Sequence, residues 1–230
     1  MLARNGPVIL LDVDNTLLDN DRFGADLGDC LEQHFGAAER ERYWAIFAAL
    51  RSEVGYADYL TALQKFRVRI ANDPQLLLMS GFLLEYPFAE RLYPGALETV
   101  AHLSTLGQTV ILSDGDIVFQ PRKIQRSGLW RAVDGRVIVG LHKELSLDDM
   151  RRRFPASRYV MVDDKPQLLV AMKRSLGSQL TTVFVRQGHY AAESRNAVFD
   201  PAPDVCIDHI ADLLEHNAIH GIPNGRTTVA

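Results

Sequence analysis

The stretch VILLDVDNTLLDN, residues 8–20, decides how the rest of the chain is interpreted. Four apolar residues lead directly into Asp12, and a second acid, Asp14, follows two positions later. A short apolar run of this kind predicts a buried strand. Two acids at its end indicate a turn that caps a helix, a metal site, or a nucleophile. The remaining sequence has to separate these alternatives.

The composition is typical of a globular protein, with 230 residues of which 47% are hydrophobic. The net charge is −4 and the isoelectric point is about 6.0, so we expect no nucleic-acid partner and no anionic membrane surface. The N-terminal apolar run is too short for a signal peptide, and no run reaches the ~20 residues of a membrane span. These features predict a cytoplasmic protein. The two cysteines, Cys30 and Cys206, form no C-x-x-C pair, and we expect both to be buried free thiols.

Short apolar strands alternate with amphipathic helices along most of the chain. The strands are rich in β-branched residues and apolar on both faces, which is typical of a parallel sheet covered by helices. Strands are predicted at 7–13, 108–113, 136–140, 158–163 and 181–185, with a weaker one at 204–207. Helices are predicted at 95–106, 118–127, 146–154, 166–176 and 207–217. This alternation predicts an α/β fold with a doubly wound, Rossmann-like parallel sheet.

Residues 20–91 break this alternation because they contain four helical patterns and no convincing strand. Gly36, Gly55 and the segment 72–74 separate these patterns. A structureless loop of this length would be implausible inside a compact domain. The sequence therefore predicts a small all-helical domain at 20–91, inserted into an α/β core formed by 1–19 and 92–230.

Side chains suited to chemistry lie at or just beyond the ends of four predicted strands. They are Asp12, Asp14 and Thr16 at the end of the first strand, Ser113 and Asp114 at the end of the second, Lys143 beyond the third, and Asp163 and Asp164 at the end of the fourth. Ligands of an open parallel sheet bind at the carboxyl ends of its strands, so we expect these side chains to meet. Carboxylate oxygens suit a hard cation such as Mg²⁺, and the cation and the lysine would offset repulsion among the acids. The pattern predicts a site for a phosphoryl group.

These residues also carry a resemblance to a known family. In chain order, DVDNT at 12–16, Ser113, Lys143 and VDD at 162–164 resemble the four motifs of the haloacid dehalogenase-like (HAD) hydrolase superfamily. The resemblance covers about 7–13 and 92–186. A helical insertion after the first motif is similar to the cap domain of that superfamily. One motif alone would be weak, whereas four in the right order are specific.

The resemblance implies three catalytic residues. Asp12 would be the nucleophile that accepts the phosphoryl group as an aspartyl-phosphate. Asp14 would protonate the leaving group and then activate water. Lys143 would neutralise negative charge on Asp12 and on the phosphate.

The resemblance also implies binding residues. Ser113 and the neighbouring Asp114 would lie on the substrate side, and Thr16 would orient the loop that carries Asp14. The expected ligands of Mg²⁺ are Asp12, Asp14 through its main-chain carbonyl, Asp163 and Asp164.

The acid at position 14 favours one reaction. Family members that cleave carbon–halogen bonds usually lack an acid there, because a halide leaving group needs no proton whereas an alkoxide does. We therefore expect a Mg²⁺-dependent phosphatase, monomeric or homodimeric, that acts on a small phosphorylated metabolite. The alternatives are a phosphotransferase or mutase, a haloacid dehalogenase, which Asp14 disfavours, and a non-catalytic regulatory binding protein on the same fold.

Some residues keep two interpretations. Lys123 competes with Lys143 for the third motif, although Lys143 is favoured because it lies just beyond a strand. Asp114 and Asp116 are better interpreted as caps of the following helix, which would keep extra negative charge away from a phosphate. Lys165 either pairs with an acid or shares the role of Lys143. The apolar stripe at 42–54 predicts helix core rather than a substrate groove.

Overall fold

A single parallel sheet forms the centre of the computed structural model, which describes residues 6–194 and 197–215. Its strands are β1 (Val8–Leu11), β2 (Gln108–Asp114), β3 (Val137–Gly140), β4 (Tyr159–Asp163), β5 (Leu180–Val185) and β6 (Val205–Ile207). Their order is β3-β2-β1-β4-β5-β6, and all neighbouring pairs are parallel. The prediction of a doubly wound α/β sheet is confirmed. Its strand order places β1 between β2 and β4.

Ten α-helices accompany the sheet within the described ranges. They are α1 (Asn20–Phe35), α2 (Ala37–Val54), α3 (Tyr59–Phe66), α4 (Gln75–Glu85), α5 (Ala96–Leu106), α6 (Phe119–Arg126), α7 (Leu129–Ala132), α8 (Leu147–Arg153), α9 (Pro166–Leu176) and α10 (Gly188–Glu193). Short 3-10 helices lie at Arg67–Arg69, Phe88–Arg91, Lys143–Leu145, Gly177–Gln179 and Ile210–Leu214. None of the helices in these ranges has both the length and the apolar character that crossing a membrane requires.

The predicted helix at 207–217 is wrong over its described part. Ile207 pairs with Val185 as the last residue of β6, and only the 3-10 helix Ile210–Leu214 follows. The Asp212 carboxylate accepts the main-chain N–H groups of Asp208 and His209, at 3.0 and 2.9 Å, which begins this tight turn. Positions 216 and 217 lie outside the described residues.

The segment between β1 and α5 contains four α-helices and no strand of the sheet; we call α1–α4 the helical insertion. Three ends of its helices carry caps that the sequence supplies. Asp19 and Asp58 accept the N–H groups of Arg22 and Thr61, each at 2.8 Å, at the starts of α1 and α3. Gly55, with a φ of 83°, ends α2 in the left-handed conformation that glycine tolerates best.

Both faces of β1 are buried, which explains its uninterrupted apolar sequence. Ile9 and Leu11 belong to the apolar cluster that reaches into the helical insertion. Val8 and Leu10 belong to a second cluster on the opposite face. Successive side chains of a strand point to opposite faces, so a strand covered by helices on both sides must be apolar throughout.

The two cysteines have different surroundings. Both are free thiols; Cys30 on α1 is half-buried and lies 3.6 Å from the sulfur of Met79. Cys206 is exposed, so the prediction that it is buried is wrong. It lies on β6, the edge strand, where alternate residues face away from the core.

Aromatic side chains join the helical insertion to the core. The Phe23 ring on α1 lies with its centroid 5.2 Å from those of Tyr59 and Phe88 and 5.7 Å from that of Phe119 on α6. Edge-on and tilted pairs at such distances stabilise beyond the area they bury. This contact fixes the insertion relative to α6, the helix that follows β2.

Asp204 fixes the edge strand to its neighbours. Its carboxylate accepts the N–H and hydroxyl groups of Thr182 on β5, at 2.8 and 2.9 Å, and lies 2.8 Å from the ammonium of Lys173 on α9. Burial opposes the charged carboxylate, but the bonds from Lys173 and Thr182 outweigh it and lower the pKa of Asp204. A carboxyl whose pKa is lowered by folding stabilises the protein above its unfolded pKa, and this contribution is lost as the pH falls through the folded pKa.

We predict that Asp204→Asn lowers the free energy of unfolding at neutral pH by about 0.5–1 kcal/mol, because solvent screens this partly exposed ion pair. The deficit should shrink below about pH 4, where the wild-type carboxyl also becomes neutral. Urea unfolding at neutral and acidic pH measures both values. Asp208→Asn is the control, since Asp208 pairs with Arg186 at a more exposed site and should change stability less. A deficit of equal size at both pH values would contradict this account.

Candidate active site

Asp12 lies at the centre of a buried polar cluster. It follows β1 directly, and its N–H donates to the Val162 carbonyl of β4 at 3.0 Å. Its Oδ1 accepts from the Lys143 ammonium at 2.7 Å and from the Ser113 hydroxyl at 3.4 Å. The residue is only 2% exposed, and its Oδ2 has no hydrogen-bond partner among the described residues.

Lys143 supplies the positive charge of this cluster. It begins the 3-10 helix after β3 and is fully buried, with its ammonium 2.7 Å from Asp12 Oδ1 and 2.6 Å from Asp163 Oδ2. Burial alone would lower the pKa of Lys143, but the charges of Asp12, Asp163 and Asp114 raise it above the usual lysine value. Lys143 is therefore a permanent cation at this site.

The nucleophile candidate is held in its ionised form. Burial by itself raises the pKa of Asp12, but the positive charges of Lys143 and Lys165 outweigh burial and lower it. An ionised carboxylate with one free oxygen can act as a nucleophile or as a metal ligand.

Three acids form a group suited to a cation. Oxygens of Asp12, Asp163 and Asp164 all lie within 4.8 Å of one another, and the three residues are buried. Neither carboxylate oxygen of Asp164 has a hydrogen-bond partner in the described part of the chain. Burial, and then the charges of Asp163 and Asp12, raise the pKa of Asp164 well above the usual value. A hard divalent cation would satisfy these unpartnered oxygens, so the residues fit a metal such as Mg²⁺.

Asp14 has a different environment from Asp12. Its Oδ1 accepts from the Lys123 ammonium at 2.7 Å, and its Oδ2 accepts from the Gln120 side-chain amide at 3.3 Å. Its carboxylate is not a member of the three-acid group. The side chain is 21% exposed and faces a cleft. The two acids of the opening motif thus contact different lysines.

Of the predicted substrate-side residues, Ser113 contacts Asp12. Ser113 is buried between Asp12 and Gln120, whose amide donates to the serine hydroxyl at 3.0 Å. Thr16 is buried in the loop after β1, and no described residue hydrogen-bonds to its hydroxyl. That loop is stabilised by Asn15, whose side-chain oxygen accepts the main-chain N–H groups that open α1.

The capping prediction holds for one of the two acids after β2. Asp116 accepts the N–H groups of Val118 and Phe119, at 2.9 and 2.7 Å, and therefore caps α6. The prediction is wrong for Asp114, which instead accepts the main-chain N–H of Lys143 at 2.7 Å. Asp114 lines the cleft, and burial raises its pKa to about 6.

A cleft of about 340 Å³ lies between the core and the helical insertion. The core contributes Asp14, Asp114, Lys165, His189 and Tyr190, and the insertion contributes Trp44, Phe47, Arg51, Tyr56 and Tyr59. A larger cavity of about 910 Å³ lies beside α10 and β6, but none of the predicted site residues lines it. Two predicted site residues, Asp14 and Asp114, line the smaller cleft, whereas Asp12, Lys143 and Asp163 do not.

The sequence did not identify the residues that the insertion contributes to the cleft. The predicted core stripe on α2 is present, since Tyr43, Phe47 and Leu50 are buried, but Phe47 also reaches the cleft together with Trp44 and Arg51. Trp44 and Arg51 each follow a buried residue of that stripe by one position. This offset is the one sequence feature that could have indicated that the two side chains face the cleft.

The lysines considered for the third motif contact different groups. Lys123 contacts Asp14 rather than Asp12, whereas Lys143 contacts Asp12. Lys165 makes no ion pair within 4.0 Å in the described ranges, and its ammonium lies 5.2 Å from the centroid of the Tyr190 ring.

No protein-family model and no curated protein matches the chain. A haloacid dehalogenase-like hydrolase from Burkholderia xenovorans LB400 is 55% identical to it, over 94% of this chain and 98% of the other, and superposes with a TM-score of 0.87. The chain belongs to the HAD-like hydrolases. The resemblance predicted from the four motifs is thereby confirmed.

More distant solved structures share the fold of this HAD-like hydrolase. The HAD hydrolase YfnB from Bacillus subtilis, bound to magnesium, is 15% identical over 92% of this chain and 98% of the other, with a TM-score of 0.62. The L-2-haloacid dehalogenase from Xanthobacter autotrophicus is 18% identical over 94% and 99%, with a TM-score of 0.60. One fold thus accommodates more than one chemistry, so the reaction has to be inferred from the site.

We predict that Asp164→Asn raises the melting temperature of the metal-free HAD-like hydrolase, because it removes a buried carboxylate that lacks a partner. MgCl₂ should raise the melting temperature of the wild type and leave that of the variant unchanged, since the variant loses a ligand. Thermal melts with MgCl₂ or EDTA measure both effects. Asp149→Asn, at an exposed acid on α8, is the control and should keep the MgCl₂ response. An equal response of the Asp164 variant and the wild type would contradict a metal site at this group.

Proposed function

We propose that this HAD-like hydrolase is a Mg²⁺-dependent phosphatase that acts on a small phosphorylated metabolite. The observation that carries the proposal is Asp14, an acid that lines the cleft two residues after the candidate nucleophile. An alkoxide that leaves from phosphorus needs a proton, whereas a halide that leaves from carbon does not. A proton donor at this position therefore favours phosphate esters over haloacids.

In the first step, the Asp12 carboxylate would attack phosphorus, and the bond from phosphorus to the ester oxygen would break. Asp14 would give its proton to the departing oxygen, so that an alcohol leaves and an aspartyl-phosphate remains. The Ser113 hydroxyl, 3.4 Å from Asp12 Oδ1, would bind a phosphoryl oxygen. The Lys143 ammonium would offset the negative charge that accumulates around Asp12.

In the second step, water would attack the phosphorus of the aspartyl-phosphate. Asp14, now ionised, would accept a proton from that water, and the bond from phosphorus to Asp12 would break. Inorganic phosphate leaves, and both acids return to their initial forms. The two steps use one acid as nucleophile and the other as proton carrier, which matches their separate environments.

Asp12, Asp163 and Asp164 would hold Mg²⁺, with the main-chain carbonyl of Asp14 as a further ligand. The cation, when bound, supplies positive charge that draws the phosphoryl oxygens to the acids. The unpartnered oxygens of Asp164 support this assignment, and the magnesium-bound form of YfnB is consistent with it.

The cleft supports a small substrate. Its volume of about 340 Å³ lies at the lower end of the range for small-molecule sites. We propose that residues 20–91 act as a cap over a core of 1–19 and 92–230, because the insertion supplies one wall of the cleft. Such a cap would exclude bulk water and determine which substrate fits.

We predict that Asp12→Asn reduces release of phosphate from p-nitrophenyl phosphate by more than about 1000-fold, since the amide is a poor nucleophile. Phosphate is measured colorimetrically with MgCl₂ present, and circular dichroism checks the fold. Asp149→Asn is the matched control and should retain activity. Undiminished turnover by the Asp12 variant would overturn the assigned nucleophile.

The same preparation distinguishes the alternative reactions. Release of chloride from L-2-chloropropionate, without hydrolysis of any phosphate ester, would identify a dehalogenase and refute the phosphatase. Transfer of the phosphoryl group to an added alcohol or sugar, in preference to water, would identify a phosphotransferase. No turnover across a broad panel of phosphate esters would favour a binding protein.

A further inference from the structure

Lys123 on α6 is a fully buried cation that the steps above do not use. Its ammonium donates to Asp14 Oδ1 at 2.7 Å and to Asn20 Oδ1 at 2.8 Å. These are short, charge-assisted contacts, which are stronger than neutral hydrogen bonds. A buried lysine that contacts the proton-carrying acid needs an explanation beyond packing.

Four aromatic rings enclose this ammonium. Its nitrogen lies 5.7 Å from the Phe23 centroid, 5.9 Å from Tyr59, 5.8 Å from Phe88 and 5.2 Å from Phe119. Rings within about 6 Å attract a cation. The cage leaves the ammonium with few polar neighbours, and burying a charge is unfavourable unless it is paired. The position of Lys123 is therefore fixed, and so is the Asp14 oxygen that it contacts.

The second contact of Lys123 belongs to the helical insertion. Asn20 is the first residue of α1, and its side-chain amide donates to the Tyr59 hydroxyl on α3 at 3.3 Å. Phe23 and Tyr59 of the cage are also insertion residues, whereas Phe119 belongs to α6. A continuous set of contacts therefore runs from Asp14 through Lys123 to the insertion.

We propose that Lys123 is a positioning residue that orients Asp14 for proton transfer, an inference that rests on the proposed phosphatase function. By fixing Oδ1, it leaves Oδ2, whose one hydrogen-bond partner among the described residues is the Gln120 amide at 3.3 Å, as the oxygen that exchanges a proton with the leaving group or water. Because Asn20, Phe23 and Tyr59 belong to the insertion, Asp14 has this orientation only when the insertion is docked on α6.

The adjacent residue Arg122 provides a matched control. It also joins α6 to the insertion, since its guanidinium donates to Glu85 Oε1 at 2.8 Å and to the Leu84 carbonyl at 3.2 Å. It makes no contact with Asp14 in the described structure. A variant of Arg122 therefore weakens docking of the insertion without removing the lysine from Asp14.

The test compares leaving groups in Lys123→Met and Arg122→Met. An alkyl phosphate needs protonation of its leaving oxygen, whereas p-nitrophenolate leaves with little help. We expect Lys123→Met to lower kcat/KM, which reports the step in which the leaving group departs, at least about 10-fold for an alkyl phosphate and less than about 3-fold for p-nitrophenyl phosphate. Arg122→Met should lower both by similar factors. In the Asp14→Asn background, Lys123→Met should cause no further loss on the alkyl ester, because both changes remove the same function.

Asn20→Ala keeps the test decisive if Lys123→Met does not fold by circular dichroism. This variant removes one hydrogen-bond acceptor of the Lys123 ammonium. We expect it to lower hydrolysis of the alkyl ester more than that of p-nitrophenyl phosphate, and by a smaller factor than Lys123→Met does. Equal losses on both esters in the folded Lys123 or Asn20 variants, or additive losses with Asp14→Asn, would overturn the positioning role alone. Absence of phosphate release by the wild type would overturn the phosphatase and this role together.

Discussion

The buried ammonium of Lys143 is the constraint on which the rest of the site depends. It lies 2.7 Å from Asp12 and 2.6 Å from Asp163, and none of the three residues has appreciable contact with solvent. Removing one partner of such a group would leave an uncompensated buried charge. The ends of β1 and β4 and the turn after β3 must therefore converge on one point. The strand order makes this possible, because β2 lies between β3 and β1 and its Asp114 holds the main chain of Lys143.

The two acids of the loop after β1, Asp12 and Asp14, contact different lysines. Lys143 keeps the buried Asp12 ionised, and Lys123 contacts Asp14, which remains partly open to the cleft. Chemistry that needs a nucleophile and a proton carrier requires that two neighbouring carboxyls have different environments. Here the difference arises from separate elements, since one lysine follows β3 and the other belongs to α6.

The contacts that dock the helical insertion also enclose the Lys123 ammonium beside Asp14. Phe23 and Tyr59 pack against α6 and surround the Lys123 ammonium. A further contact joins the insertion to the core, since Asp21 of α1 lies 2.6 Å from the His189 ring of α10. The insertion therefore contacts the core at α6 and at α10. Any motion of the insertion would alter the cleft and the environment of Asp14 together.

The sequence by itself determined the architecture and most of the polar cluster. The apolar runs of β1 to β5 are buried by helices on both faces, so their pattern identified a parallel sheet. Parallel strands end at one edge, so the strand pattern was enough to predict that Asp12, Ser113, Lys143 and Asp163 lie at the same edge of the sheet. Only the tertiary structure decided which lysine contacts which acid, that Asp114 binds the main chain of Lys143, and that Trp44 and Arg51 line the cleft. Lys143 and Asp12 are 131 residues apart and Lys123 and Asp14 are 109 apart. Their pairing depends on how side chains from distant segments pack, which local sequence patterns do not encode.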